Sequence, residues 1–116
     1  MNFDEQITSV LVPLVGASRV HPDVAPERTP LPYITYQQVG GDALNYLDAT
    51  VPNKRNARIQ INVWAETRGG VSQLSDQVED AIRAAHGLQA EVLGARVSLY
   101  ESAKLRGARQ DFSVWY

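Results

Sequence analysis

The sequence contains no cysteine, which excludes disulfides, thiolate catalysis and cysteine-based zinc sites. It also has no apolar stretch near the roughly 20 residues that span a bilayer. Acidic residues, Asp4 and Glu5, stand where a secretory signal would carry basic ones. We therefore expect a soluble protein with no membrane partner, and the lack of cysteine is consistent with assembly in a cytoplasm.

A large excess of charge of one sign is also lacking. Eleven Lys and Arg residues against 13 Asp and Glu residues give a formal net charge of −2, so charge alone gives no general reason to expect nucleic-acid binding. Hydrophobic residues make up 44% of the chain and charged residues 21%, which is typical of a folded globular protein. The 116 residues fit one compact domain over residues 1–116.

The signatures of enzyme sites are missing as well. There is no nucleophile elbow, no phosphate-binding glycine loop and no HExxH zinc motif. Adjacent carboxylates such as Glu79 and Asp80 diverge by about 100° on a helix and do not make an acid–base pair. We therefore predict a protein without catalytic residues, metal or cofactor. An enzyme that uses His21 and Asp23, two residues apart in a proline-rich stretch, is the least favoured hypothesis.

Hydrophobic periodicity predicts two helices and four strands. The predicted elements are a helix over 3–15, strands at 33–39 and 56–66, a helix over 70–86, and strands at 96–101 and 109–116. Strand pairs that are adjacent in sequence favour an antiparallel or mixed four-stranded sheet with both helices packed on one face. The predicted fold is therefore α+β, in the order α-β-β-α-β-β.

The remaining stretches are predicted as connections. Four prolines in residues 17–32 exclude a helix or a central strand there and favour an extended connection. Residues 42–55 suggest a short hairpin around Asp48, and residues 102–108 suggest a loop. Pro13 is expected to end or kink the first helix near the preceding turn.

Charged residues form three local groups that are candidates for a subunit interface. Two are basic and one is the acidic face of the second predicted helix: Lys54, Arg55 and Arg58; Lys104, Arg106 and Arg109; Asp76, Glu79 and Asp80. One interpretation is ordinary solvated charge. The other is that a basic group meets the acidic face of a neighbouring copy, or nearby DNA. Opposite patches meeting head to tail could close into a ring.

Trp64 lies on the polar side of its predicted strand, away from Ile59, Ile61 and Val63. Packing against a neighbouring strand or under a loop is the slightly favoured interpretation. The alternative is an anchor in a subunit interface, where tryptophan and tyrosine are enriched.

Three stretches of the sequence together resemble a known family. They are Arg19–Pro26 continuing through Thr29–Gln37, the run Lys54–Trp64, and the C-terminal run Leu105–Trp115. In this order and over nearly the whole chain, they are similar to the tail-completion, or tail-to-head joining, proteins of long-tailed phages, prophages and gene transfer agents.

The resemblance implies a structural virion protein, assembled in the bacterial host cytoplasm. The expected protein forms a ring, a hexamer, that caps the tail tube and meets the major tail tube protein and the head-completion or connector proteins. The family has no catalytic motif or cofactor to carry over. The proline-rich stretch adds Arg19, His21 and Asp23 to the candidate interface. The alternative is a small monomeric adaptor or regulatory domain that binds a cellular partner.

Overall fold

The computed structural model describes all residues from 1 to 116. Each of the two helices is followed by three strands along the chain: α1 (Phe3–Val15), β1 (Val20–Pro22), β2 (Tyr33–Gln38), β3 (Asn56–Ala65), α2 (Arg68–Ala84), β4 (Glu91–Val92), β5 (Val97–Ser102) and β6 (Leu105–Trp115). Short 3₁₀ turns lie at Ala17–Arg19 and His86–Leu88.

The sheet has six strands in the order β1-β2-β3-β6-β4, and β5 pairs with β6 as well. β1 runs parallel to β2, and all the other pairs are antiparallel. The predicted α+β class is confirmed, but the four-stranded sheet and its α-β-β-α-β-β order are wrong. The extra strands β1 and β4 have three and two residues, too few to show the alternation by which a strand is recognised.

The long central strands β3 and β6 carry the core. Their ten paired positions run from Asn56 opposite Trp115 to Ala65 opposite Arg106. The residues that face the helices are almost fully buried, including Ile59 and its partner Phe112, both with 0% exposure. All 18 buried apolar residues belong to one cluster, which includes side chains from α1 and α2. The predicted apolar face of 56–66 is therefore confirmed.

Helix α1 begins as the sequence predicts, but it does not end where the proline suggests. The Asn2 side chain accepts a hydrogen bond from the Glu5 amide at 2.8 Å, which caps the first turn. The helix continues past Pro13 to Val15, although the proline has no N–H to donate to the carbonyl of Ser9 one turn earlier. Gly16, with φ of +99°, ends the helix in a conformation that favours glycine.

Helix α2 spans Arg68–Ala84 and not residues 70–86. Thr67 caps it, since its hydroxyl accepts a hydrogen bond from the Gly70 amide at 3.1 Å. The cap explains how a helix begins over Gly69 and Gly70, which both disfavour helical structure. At the other end, His86 lies in the 3₁₀ turn and not in the last turn of the helix.

Gly69→Ala is expected to raise the free energy of unfolding by about 0.5–1 kcal/mol, because alanine loses less conformational entropy in a helix. A Cβ at Gly69 would meet no atom within 4 Å. At Gly70 it would lie 3.2 Å from the capping hydroxyl of Thr67, so Gly70→Ala should gain less or lose stability. Urea unfolding of both variants tests this; an equal gain at the two positions would contradict it.

Two predicted connections differ from the structure. Residues 105–108, predicted as part of a loop, belong to β6. Residues 106–108 pair with both β3 and β5, and this pairing on two sides overrides the low strand propensity of glycine and alanine. Residues 42–55 contain no strand, although a turn is present at Leu47–Asp48.

The β2–β3 loop (residues 39–55) and the tip of the β5–β6 hairpin lie at opposite ends of the long strands. The molecule measures 55 × 26 × 23 Å.

Candidate assembly surfaces

The face of the sheet opposite the helices is open and mostly polar. Arg58 on β3 donates two hydrogen bonds to one carboxylate oxygen of Asp111 on β6, at 3.0 and 2.8 Å. Near the end of the same strands, the Asn56 amide donates to the Ser113 hydroxyl at 2.8 Å. Intrachain hydrogen bonds therefore order this face, although no second layer covers it.

Trp64 lies on this open face, as its position in the strand predicts, and packs on the neighbouring strand. A Cβ added to Gly107 on β6 would come within 2.6 Å of the Trp64 ring and 2.7 Å of the Val63 carbonyl oxygen. The ring of Tyr33 on β2 lies 6.5 Å from the Trp64 ring, centre to centre. The absence of a side chain at Gly107 thus makes room for the indole, which remains partly exposed.

The first basic group is divided by the structure. Lys54 and Arg55 are exposed at the end of the β2–β3 loop, where the backbone of Arg55 exchanges two hydrogen bonds with Tyr116 at 2.8 and 2.9 Å. Arg58 lies on the open face of β3 and pairs with Asp111. Only Lys54 and Arg55 therefore keep side chains without an ionic partner in this chain.

The second basic group lies on the β5–β6 hairpin. The guanidinium of Arg106 stands 5.7 Å from the centre of the Tyr100 ring, within the range of a cation–π contact, and its buried Nε has no hydrogen-bond partner. Lys104 at the hairpin tip and Arg109 on the open face are exposed. Neither makes a salt bridge within the chain.

The acidic face of α2 is largely paired within the chain. Asp76 accepts a hydrogen bond from Arg96, just before β5, at 2.6 Å. Glu79 accepts hydrogen bonds from the Gln110 amide and from Arg83, and these interactions, the first above all, hold the pKa of Glu79 below its ordinary value. Asp80 is exposed and has no ionic partner.

The proline-rich residues of the candidate interface are held by backbone groups. The guanidinium of Arg19 donates to the Leu31 carbonyl at 3.4 Å. His21 on β1 lies with Nε2 2.8 Å from the Ser18 carbonyl, which can only accept, so Nε2 carries the proton. Asp23 follows β1 and donates its amide to the Tyr36 carbonyl at 2.8 Å. No group of three metal-ligating side chains is present.

The recesses of the surface are open hollows. One of about 490 Å³ is lined by Asp4, Asp23 and Tyr36, among others. The Tyr36 hydroxyl donates to Asp4 at 2.8 Å, and burial, followed by that hydrogen bond, raises the pKa of Tyr36. Another hollow of about 390 Å³, between the end of α1 and α2, contains Glu66 as its one ionisable side chain. Neither gathers an acid, a base and a nucleophile.

Exposed apolar side chains mark a surface that sequence reasoning missed. Nine large apolar residues are exposed: Met1, Val24, Val39, Tyr46, Leu47, Val51, Leu93, Val97 and Tyr100. Four of these lie in the β2–β3 loop, two lie on β5, and Leu93 directly follows β4. The signal in the sequence is the apolar content of residues 44–51, from which a short hairpin is predicted. An amphipathic hairpin would have buried half of these side chains, whereas the observed loop exposes them.

Comparison with known protein families decides the identity. The family described as "Tail completion protein gp17" matches residues 6–116, which is nearly the whole chain and includes all three stretches of the resemblance. The chain belongs to this tail-completion family. It is thus a structural protein of the phage virion tail and not an enzyme.

A solved structure supports the fold of this tail-completion protein. A chain of the "Virion of native gene transfer agent (GTA) particle" superposes with a TM-score of 0.52 at 20% sequence identity, covering 97% of this chain and 89% of that one. At this identity the likeness is one of fold. No curated protein matches the sequence. Neither helix of the tail-completion protein could serve as a membrane span.

Proposed function

We propose that this tail-completion protein closes the finished tail as a ring of identical subunits, a hexamer, and joins the tail to the head. Its partners in this proposal are other copies of itself, the major tail tube protein and the head-completion or connector proteins. The family match over residues 6–116 carries the proposal, because it places the chain among proteins that complete tails.

The surface of the tail-completion protein supports a head-to-tail contact. Lys54 and Arg55 at one end of the long strands, and Asp80 on α2, are exposed charges without ionic partners in the chain. When two different, oppositely charged surfaces of neighbouring copies meet, the contact is heterologous. Repetition of this contact closes into a ring if the rotation from one copy to the next is a whole fraction of a full turn. The charges of Asp76 and Glu79 are partly offset by Arg96 and Arg83.

The other candidate interface residues lie on three further parts of the molecule. Arg19, His21 and Asp23 lie at the β1 edge of the sheet, and Arg106 and Lys104 at the β6 end near the hairpin tip. Arg58 and Arg109 lie on the open face of the sheet. If that face lines the ring, the arginines would lie near DNA that passes through the tail and would contact its phosphates without sequence preference.

Reversing the charges of Arg55 and Arg58 together, to Glu, is expected to weaken incorporation into tails and leave the isolated fold intact. The fold should survive because the exposed Arg58–Asp111 pair contributes only about 0–1 kcal/mol. Thermal unfolding of the isolated variant and electron microscopy of tails assembled with it test both parts. Self-association is measured in parallel by light scattering over a range of concentrations.

The matched control is Arg28→Glu combined with Ser9→Glu and Gln73→Glu. It changes the net charge equally, at exposed positions outside the candidate interface. The control should enter tails at the level of the unmodified protein. Normal incorporation of the Arg55/Arg58 variant at physiological salt would refute the charge interface. A protein that stays monomeric and is missing from particles would favour the monomeric adaptor.

A further inference from the structure

Two exposed surfaces of the tail-completion protein complement each other in charge and in apolar character. The first is the loop tip, residues 42–52 of the β2–β3 loop, which contains Asp42 and Asp48 and no basic residue. The second is the β5–β6 hairpin, whose residues 96–109 contain four basic side chains and one acidic one. The loop tip is thus acidic and the hairpin basic.

The loop tip has few partners within its own chain. Tyr46, Leu47 and Val51 are 50%, 110% and 80% exposed. Within the tip there is one backbone hydrogen bond, from the Ala49 amide to the Tyr46 carbonyl. The amides of Asp42 and Thr50 donate instead to the side chains of Asn56 and Asp48. The amides of residues 43–47 have no hydrogen-bond partner in this chain. Exposed apolar groups and free backbone donors together are typical of a segment that docks on another surface.

The root of the loop is nevertheless fixed, so the tip projects from a defined place. Gly41 has φ of +142° and no room for a side chain, since a Cβ would lie 2.5 Å from the Asn56 carbonyl oxygen. The Asp42 amide donates to the Asn56 side chain at 2.9 Å. The loop therefore leaves the Asn56–Trp115 end of the long strands in a fixed direction.

Strand β5 offers the matching edge. It pairs with β6 on one side and has no strand on the other. Val97 and Tyr100 are 51% and 64% exposed, and the register is regular between them, with the irregularity placed beyond Tyr100. Arg68 holds the strand in place by donating to the Leu99 carbonyl at 3.0 Å. An ordered edge with free backbone groups accepts an extended segment as a further strand.

The two surfaces lie apart on one molecule. Val97 and Tyr100 pair with Arg109 and Arg106 of β6, which are six and nine residues before Trp115. They therefore lie about 20–30 Å along the strands from the end where the loop tip begins. We propose that the loop tip of one copy docks along the outer edge of β5 in the next copy. This contact is heterologous and builds a ring by repetition; the inference rests on the proposed function and names the surfaces that meet.

The charged residues around β5 complement the charges on the loop tip of a neighbouring copy. Lys104 and Arg109 are exposed and lie without ionic partners near the two ends of the hairpin pairing, available to Asp42 and Asp48 of the neighbour. The α2 acidic face lies beside the start of β5, because Asp76 pairs with Arg96. Lys54 and Arg55, at the root of the same loop, would then approach Asp80. A second copy of this chain thus supplies both the apolar and the charged complement.

Site-directed crosslinking tests the contact, since the chain has no cysteine of its own. Asn45→Cys in the loop tip and Ser98→Cys on β5 are placed in one chain, at exposed positions that leave the apolar residues unchanged. Tails that contain this variant are treated with a short bis-maleimide. The matched control combines Asn45→Cys with Ser9→Cys, an exposed position on α1, and the two single-cysteine variants are treated in parallel.

The expected result is a ladder of covalent oligomers for the Asn45/Ser98 variant, ending at the size of the closed ring. The single variants and the Asn45/Ser9 control should remain at the mass of one chain. A ring visible at the tail end without Asn45–Ser98 products would place another virion protein on β5 and overturn the inference while the proposed function stands. Dimers from Asn45→Cys alone would show loop-to-loop contact and also overturn it. Absence of the ring itself would refute the proposed function.

Discussion

Phe112→Ala is expected to lower the free energy of unfolding by about 3–5 kcal/mol. Phe112 is the largest of the fully buried side chains, with 0% exposure at the centre of β6, and it pairs with Ile59 on β3 and Val92 on β4. Removal of its ring leaves a cavity that strands paired on both sides cannot close. Domains of this size are stable by only about 5–15 kcal/mol, so urea unfolding should show a large decrease in midpoint.

The other phenylalanine provides the control. Phe3 is only partly buried and meets Tyr116 edge to face, with ring centres 5.0 Å apart. Phe3→Ala is therefore expected to cost about 1–2 kcal/mol. Equal losses for the two alanine variants would contradict the assignment of the core to the helix-covered face of β3 and β6.

Gly107→Ala should cost about 1–3 kcal/mol through overpacking, the second largest effect expected in this chain. The added methyl would lie 2.6 Å from the indole of Trp64 and 2.7 Å from the Val63 carbonyl oxygen, so either the ring or the β3–β6 pairing must move. Trp64 is expected to lose its contact with β6 and become more exposed. Its fluorescence, measured in a Trp115→Phe background, should shift to longer wavelength.

Gly87→Ala is the control for this substitution. A Cβ at Gly87 meets nothing within 4 Å and the residue does not have a positive φ, so stability and the Trp64 spectrum should stay close to those of the unmodified protein. If Gly107→Ala behaved in the same way, Trp64 would not be packed on β6. The indole would then be free for a subunit interface, the other interpretation that its sequence position allows.

The strongly patterned parts of the fold could be predicted from the sequence. Helix α1, with its Asn2 cap, and strand β3, with alternating Ile59, Ile61 and Val63, lie where the periodicity places them. In each of these elements the apolar residues that pack on the core recur at the spacing of the helix or the strand, so the pattern is visible in the sequence. The α+β class follows from them.

Other elements depend on partners that a sequence pattern does not show. β1 and β4 exist because β2 and β6 offer edges to short segments. The first half of β6, including Gly107, is strand because it pairs on both sides. For the same reason the pairing of Arg58 with Asp111, 53 residues away, was invisible, and the candidate charges could not be divided into paired and free ones. The family, by contrast, was recognisable from its three stretches.

We propose that this tail-completion protein works by contact with copies of itself at the end of the tail. Electron cryomicroscopy of purified tails tests it most directly. The expected result is a closed ring of copies of this chain, six of them, at the head-proximal end, with each loop tip on the β5 edge of its neighbour. A single copy per tail, or tails whose ends are complete without this chain, would contradict it.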